Sequence, residues 1–119
     1  MPLSIYRNLW LVFSLAVLLS PRFLIGQAVK GSLLGTITDT SGAVVPGAKV
    51  VITEANTGFS RWMSTNQSGY YVFSNLDNGT YRVTVEQPGF QTAVRENVEV
   101  FVNSTVRVDF ALTPGQVNE

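Results

Sequence analysis

A chain of 119 residues with eight basic and eight acidic side chains has room for one domain and lacks the basic face that nucleic-acid binding requires. It contains neither histidine nor cysteine. That excludes a disulfide framework, Ser-His-Asp and Cys-His nucleophiles, and the histidine-bearing sites that usually hold a catalytic zinc.

The first elements in chain order read as an export signal. Met1 to Asn8 carries Arg7, Leu9 to Ser20 is a 12-residue apolar stretch, and Pro21 breaks it. Gly26 and Ala28 then offer small residues at the −3 and −1 positions for cleavage before Val29. This order predicts a secretory signal-peptide helix over residues 1–28. The competing reading is an uncleaved membrane anchor, which wants about 20 apolar residues, whereas Pro21 and Arg22 interrupt this run. Removing the segment takes Arg7 and Arg22 with it and leaves six basic against eight acidic residues, a net of −2. With no cysteine to form bridges, the remainder must be held by its core alone, which points to a bacterial envelope protein.

From Gly31 to Leu112 short alternating runs are separated by turn residues, the pattern of an all-β sandwich. The first strand, 33–39, places Leu33, Gly35 and Ile37 on one face. Residues 48–54 do the same with Ala48, Val50 and Ile52, after the turn residues Gly42 and Pro46-Gly47. A third strand covers 59–65, and a fourth follows the Asn66–Gly69 turn with Tyr71 and Phe73 inward. The segment 80–86 alternates most cleanly, with Tyr81, Val83 and Val85 inward. After Pro88-Gly89-Phe90 a sixth strand runs to about Val102, aligning Val98, Val100 and Val102. The seventh aligns Val106, Val108, Phe110 and Leu112. The expectation is a seven-stranded antiparallel Greek-key sandwich over 29–112, with a flexible tail at 113–119. Gly42, Gly69 and Gly79 stand where reversals call for positive φ. Leu76-x-x-Gly79-x-Tyr81 has the form of a tyrosine corner, its phenol bonding back to the backbone.

Several motifs in order resemble the carboxypeptidase regulatory-like domain. They are Gly35-Thr-Ile-Thr-Asp39, Ser41-Gly42, Val45-Pro46-Gly47-Ala48, Gly69-Tyr-Tyr71-Val-Phe73, Leu76-Asp-Asn-Gly79-Thr-Tyr81 and Pro88-Gly89-Phe90. The resemblance implies a transthyretin-like (prealbumin-like) sandwich in which Gly35, Asp39, Gly42, Gly47, Gly69, Leu76, Gly79, Tyr81 and Gly89 have structural roles. A signal peptide followed by such a domain resembles the periplasmic N-terminus of Oar-like TonB-dependent outer-membrane receptors. The plug and barrel are absent from these 119 residues, so a truncated or standalone relative is expected.

Chemistry is sparse. Asp39, Glu54, Asp77, Glu86 and Asp109 could in principle form the carboxylate pair of a glycosidase. Yet Glu86 and Asp109 fall on wet strand faces, and Asp39 and Asp77 at turns, where a carboxylate commonly caps a backbone N–H. No phosphate-cradling glycine motif occurs, and no catalytic, metal or cofactor site is expected. Trp62 and Tyr70 flank the turn before the fourth strand and, with Phe101, face away from the predicted core. They either form a platform for stacking sugar rings or cover the rim of the sandwich. The expected role is a non-catalytic interaction or scaffold module, with carbohydrate binding as the alternative. Expected partners are envelope proteins or a polysaccharide, with no nucleic acid, and membrane contact only through an uncleaved signal. The expected state is a monomer in the periplasm or at the outer membrane of a Gram-negative bacterium, or secreted.

Overall fold

The computed structural model describes residues 29–115. The predicted signal segment and residues 116–119 lie outside the described residues. The strands are β1 (Gly31–Asp39), β2 (Lys49–Glu54), β3 (Ser60–Ser64), β4 (Tyr70–Leu76), β5 (Gly79–Glu86), β6 (Ala93–Val100), β7 (Thr105–Arg107) and β8 (Phe110–Leu112). One sheet has the order β4-β1-β7, with β8 continuing beside β1; the other is β3-β2-β5-β6. Period-two alternation gives each strand one dry face, and the two dry faces pack together. Leu33, Ile37, Val50, Ile52, Tyr71, Phe73, Leu76, Tyr81, Val83 and Val85 are all buried in the shared core. The expected all-β sandwich is what residues 29–115 form.

The seventh predicted strand departs from expectation in two ways. It is split into β7 and β8, and both run parallel to β1 rather than antiparallel. The direction follows from connectivity. Val100 ends β6 opposite Gly79, at the pole where Gly31 begins β1, so a strand laid next beside β1 runs the same way. The split has a chemical cause. The Val108 carbonyl turns inward to accept the Tyr71 phenol at 2.5 Å, while the Val108 N–H still donates to the Leu34 carbonyl at 2.8 Å. Asp109 Oδ1 then accepts the Thr36 N–H at 2.8 Å, replacing a backbone carbonyl in the ladder. Burial first, then the Asp109 charge, push the Tyr71 phenol well above its ordinary range, so it remains a donor. Val108, Phe110 and Leu112 stay buried through the break.

Three smaller expectations are also corrected. The sixth strand stops at Val100, and Val102 is 61% exposed. A tight turn intervenes, closed by Ser104 Oγ donating to the Phe101 carbonyl at 2.7 Å, with Asn103 at φ 55°. The tail expected from Thr113 is fastened as far as Gly115: Gln91 N–H donates to Thr113 O at 2.8 Å, and Gly115 N–H to Gly89 O at 2.9 Å. Gly69 does adopt positive φ (70°), and a Cβ there would also sit 2.6 Å from the Ile37 carbonyl. Gly79 does not adopt it. It packs closely against Glu54 instead, where a Cβ would stand 3.0 Å from Oε1.

The corner geometry at Leu76–Tyr81 is present, with Tyr81 Oη donating to the Asp77 carbonyl at 2.8 Å. Asn75 and Asn97 at φ 57° mark the places where the β1–β4 and β5–β6 registers shift. Asparagine tolerates the left-handed region that such bulges use. On β3, Arg61 lies over the Phe73 ring at 5.6 Å and donates to the Ser74 carbonyl of β4 at 2.8 Å, linking the edges of the two sheets.

Candidate functional site

The outer face of the β3-β2-β5-β6 sheet carries the most distinctive surface. Cross-strand register aligns Trp62 with Val51, Val51 with Thr84, and Thr84 with Val94. These four side chains therefore form one stripe across all four strands, about 14 Å long at the usual interstrand spacing. Its ends are open: Trp62 is 63% and Val94 49% exposed. A polar row borders it on each side. Ser64, Lys49 and Glu86 pair across one border, and Ser60, Thr53 and Arg82 across the other. Lys49 Nζ stands 5.2 Å from the Trp62 ring centroid, and Arg82 is bonded to Glu96 at 2.8 Å. An aromatic face beside a cation can stack on an apolar ring face or a planar group while polar neighbours bond its rim.

The other candidate aromatics are not brought to this stripe. Tyr71 and Phe73 point into the core, so alternation turns Tyr70 outward on the β4-β1-β7 sheet, where it pairs with Thr36 and is half-buried. In a two-layer sandwich that face looks away from Trp62. Phe101, 56% exposed, sits on the β6–β7 turn at one pole. Three aromatics thus occupy three separate surfaces. Val51, Thr84 and Val94 carry no local motif that marks them as site residues, because only cross-strand register places them beside Trp62.

The five candidate carboxylates are occupied or scattered. Asp39 Oδ1 accepts from Ser41 Oγ at 2.6 Å and from the N–H groups of Ser41 and Ala43. Glu54, buried at the end of β2, accepts the Thr57 N–H at 2.6 Å and the Asn56 N–H at 2.9 Å. Asp77 pairs with Lys30 at 2.9 Å, Asp109 serves Thr36 and Arg107, and Glu86 stands across from Lys49. Glu54 and Asp77 do border one hollow of about 200 Å³. A general acid there would need a raised pKa, and Glu54 has the opposite. Among the described residues no cluster of three or more His, Cys, Asp or Glu side chains could hold a metal ion.

These carboxylates set the acid limit of the fold. The Ser41 hydroxyl, and then the turn N–H groups, hold Asp39 below the usual range. The Thr57 N–H leads in doing the same for Glu54. For Asp109 burial pulls upward, but the Thr36 N–H and Arg107 outweigh it and the net shift is downward. With folded pKa values depressed, the unfolded chain binds more protons at low pH. The stabilisation is complete above the unfolded carboxylate range, about 4, and is lost as pH falls through the lower folded values. Urea midpoints are expected to be level from about pH 7 to 5 and to decline below about pH 4, less steeply in Asp39→Asn. A level midpoint down to about pH 3 would contradict these assignments.

A family model described as the carboxypeptidase regulatory-like domain matches residues 32–113. Serine-aspartate repeat-containing protein F of Staphylococcus epidermidis is 34% identical over 61 residues, which is 51% of this chain and 4% of that protein. Among solved structures, the Bacillus anthracis TIE protein superposes with a TM-score of 0.62 at 23% identity, covering 72% of this chain and 17% of that one. The minor pilin GBS52 of Streptococcus agalactiae gives 0.60 at 17% identity, covering 77% and 48%. A putative carbohydrate binding protein of Bacteroides uniformis gives 0.57 at 22% identity, covering 70% and 41%. The chain therefore spans only a small fraction of the first of these proteins, and at such identities the structural matches establish the fold.

Proposed function

We propose, from the premise that the chain belongs to the carboxypeptidase regulatory-like domain family, that it is an exported, non-catalytic interaction and scaffold module. The observation that carries this reading is the Trp62–Val51–Thr84–Val94 stripe, an apolar strip open to solvent on a sandwich whose carboxylates are largely engaged in local bonds. The chain has no histidine or cysteine for acid–base or nucleophilic work. A monomer cleaved before Val29 and docking an envelope protein through this face accounts for both features. The finer placement, a periplasmic extension of a TonB-dependent receptor, rests on the resemblance of the motifs. A plug-and-barrel reading frame continuing past the codon for Glu119 would support it, and N-terminal sequencing of exported protein tests the cleavage position.

A second reading is favoured by one feature: the exposed Trp62 ring has a cation beside it, as a saccharide platform would. The putative carbohydrate binding protein of Bacteroides uniformis has the same sandwich. Trp62→Ala separates the two. Under the interaction reading, a photo-crosslinker at Ser64 captures an envelope protein in cells and the substitution abolishes capture with the melting temperature unchanged. Polysaccharide gels then retard neither protein. Retardation of the parent that disappears in Trp62→Ala would transfer the site to a glycan. Trp62 is the sole tryptophan among the described residues, so its fluorescence reports occupancy of the face directly.

A further inference from the structure

The parallel course of the first and last strands has a mechanical meaning. The chain comes in at Val29, beside the β4–β5 and β6–β7 turns, as the pairs Gly31–Leu76 and Ser32–Thr105 require. It leaves at Gly115, fastened to Gly89 on the β5–β6 loop and three residues beyond the Asp39–Leu112 end of the ladder. β1 rises about 3.3 Å per residue, so its nine residues set the two exits roughly 30 Å apart, at opposite poles. A pull applied along the chain therefore draws β1 and β7–β8 past each other, lengthwise.

We infer that this ladder is a force-bearing clamp that resists load passed between the β1 and β8 ends of the module, a duty that falls to the form in which the segment before Val29 is retained as an anchor and not to the cleaved form. Six residue pairs hold it: Ser32–Thr105, Leu33–Val106, Leu34–Arg107, Ile37–Phe110, Thr38–Ala111 and Asp39–Leu112. Under lengthwise load their hydrogen bonds share the strain and must fail together, whereas an antiparallel pair pulled from adjacent ends opens one bond at a time. The split between β7 and β8 would be the weak point, and side chains close it. Asp109 holds the Thr36 N–H at 2.8 Å and Arg107 at 3.0 Å, and Arg107 Nη2 reaches Thr36 Oγ1 at 3.2 Å. The Tyr71 phenol pins Val108 to the core at the same level. This duty goes beyond docking by the outer sheet face and holds whether or not that face has a partner.

Because the parent has no cysteine, force handles can be placed at will. In the full chain, Val29→Cys with Gln116→Cys loads the β1–β7/β8 ladder along its length. Val29→Cys with Asn78→Cys loads the β1–β4 pair from one pole. Single-molecule stretching is expected to need several-fold higher force in the first geometry, since forced unfolding follows the barrier and not the equilibrium stability. Adding Asp109→Ala should lower the force in the first geometry and leave the second unchanged. Equal rupture forces in the two geometries of the parent overturn the inference, and so does an equal loss in both on Asp109→Ala. Neither outcome bears on whether Trp62 recognises a partner.

Discussion

Gly35→Ala is expected to be the most damaging single methyl that can be added to this chain. Gly35 is buried in the middle of β1, and its backbone is not in the left-handed region, so conformational freedom is not the issue. An added Cβ would lie 1.9 Å from the Val108 carbonyl oxygen and 2.9 Å from the Tyr71 hydroxyl. The obstruction is backbone, and that carbonyl is also the acceptor of the Tyr71 bond. Relief requires moving the β7–β8 junction away from β1, which opens the ladder and strands a buried phenol. Overpacking alone costs about 1–3 kcal/mol, and a buried donor left without its partner adds roughly 1–3 kcal/mol. The sum, about 2–6 kcal/mol, is a large share of the about 5–15 kcal/mol that holds a domain together, so the melting temperature should fall by about ten degrees or more. Gly42→Ala is the matched control: its Cβ meets nothing within 4 Å, and only the left-handed φ costs it about 1–2 kcal/mol. A Gly35→Ala melting temperature no lower than that of Gly42→Ala would mean that the close approach of β1 to Val108 is not required.

Phe73→Ala should rank next. Phe73 is 1% exposed, its ring 6.0 Å from the Tyr71 ring at a 60° tilt and 5.6 Å from the Arg61 guanidinium. Removing it costs about 3–5 kcal/mol through lost burial and an unfilled cavity, with roughly 0.5–1.5 kcal/mol of that from the aromatic pair. At about 4–8 °C per kcal/mol for a domain under 100 residues, the thermal transition should fall by tens of degrees. Urea unfolding should show a lower midpoint with an unchanged slope, as expected when stability changes but the surface exposed does not. A drop of less than about 1 kcal/mol would place Phe73 at the edge of the core and not within it.

The strand faces were legible because alternation is a local property. Leu33, Ile37, Val50, Ile52, Tyr71, Phe73, Val83 and Val85 can each be assigned inward from their immediate neighbours, and all are buried. The break after Arg107 was not legible, because Val106, Val108, Phe110 and Leu112 keep perfect alternation across it. Its cause is the Tyr71 hydroxyl, 37 residues away in sequence. The turn motif around Gly79 suggests a left-handed backbone, whereas the glycine has ordinary φ and lies close to a carboxylate on another strand. The same reasoning explains the partial reading of the candidate site. Exposure of Trp62 can be read from Ser60 and Ser64, its same-face neighbours on β3, but which sheet a strand joins and in what register are settled by packing. That is why Tyr70 lies on the other face and Val51, Thr84 and Val94 join Trp62 instead.

The reach of Arg61 across to Ser74 has a consequence for how copies of this chain coexist. β4 is an edge strand of seven residues without a charge or a proline, the composition most inclined to recruit a neighbour's strand and propagate into aggregates. The Asn75 kink and one guanidinium lent by β3 are what blunt that edge. Arg61→Ala, a change in the opposite layer, is therefore expected to lower solubility at high concentration.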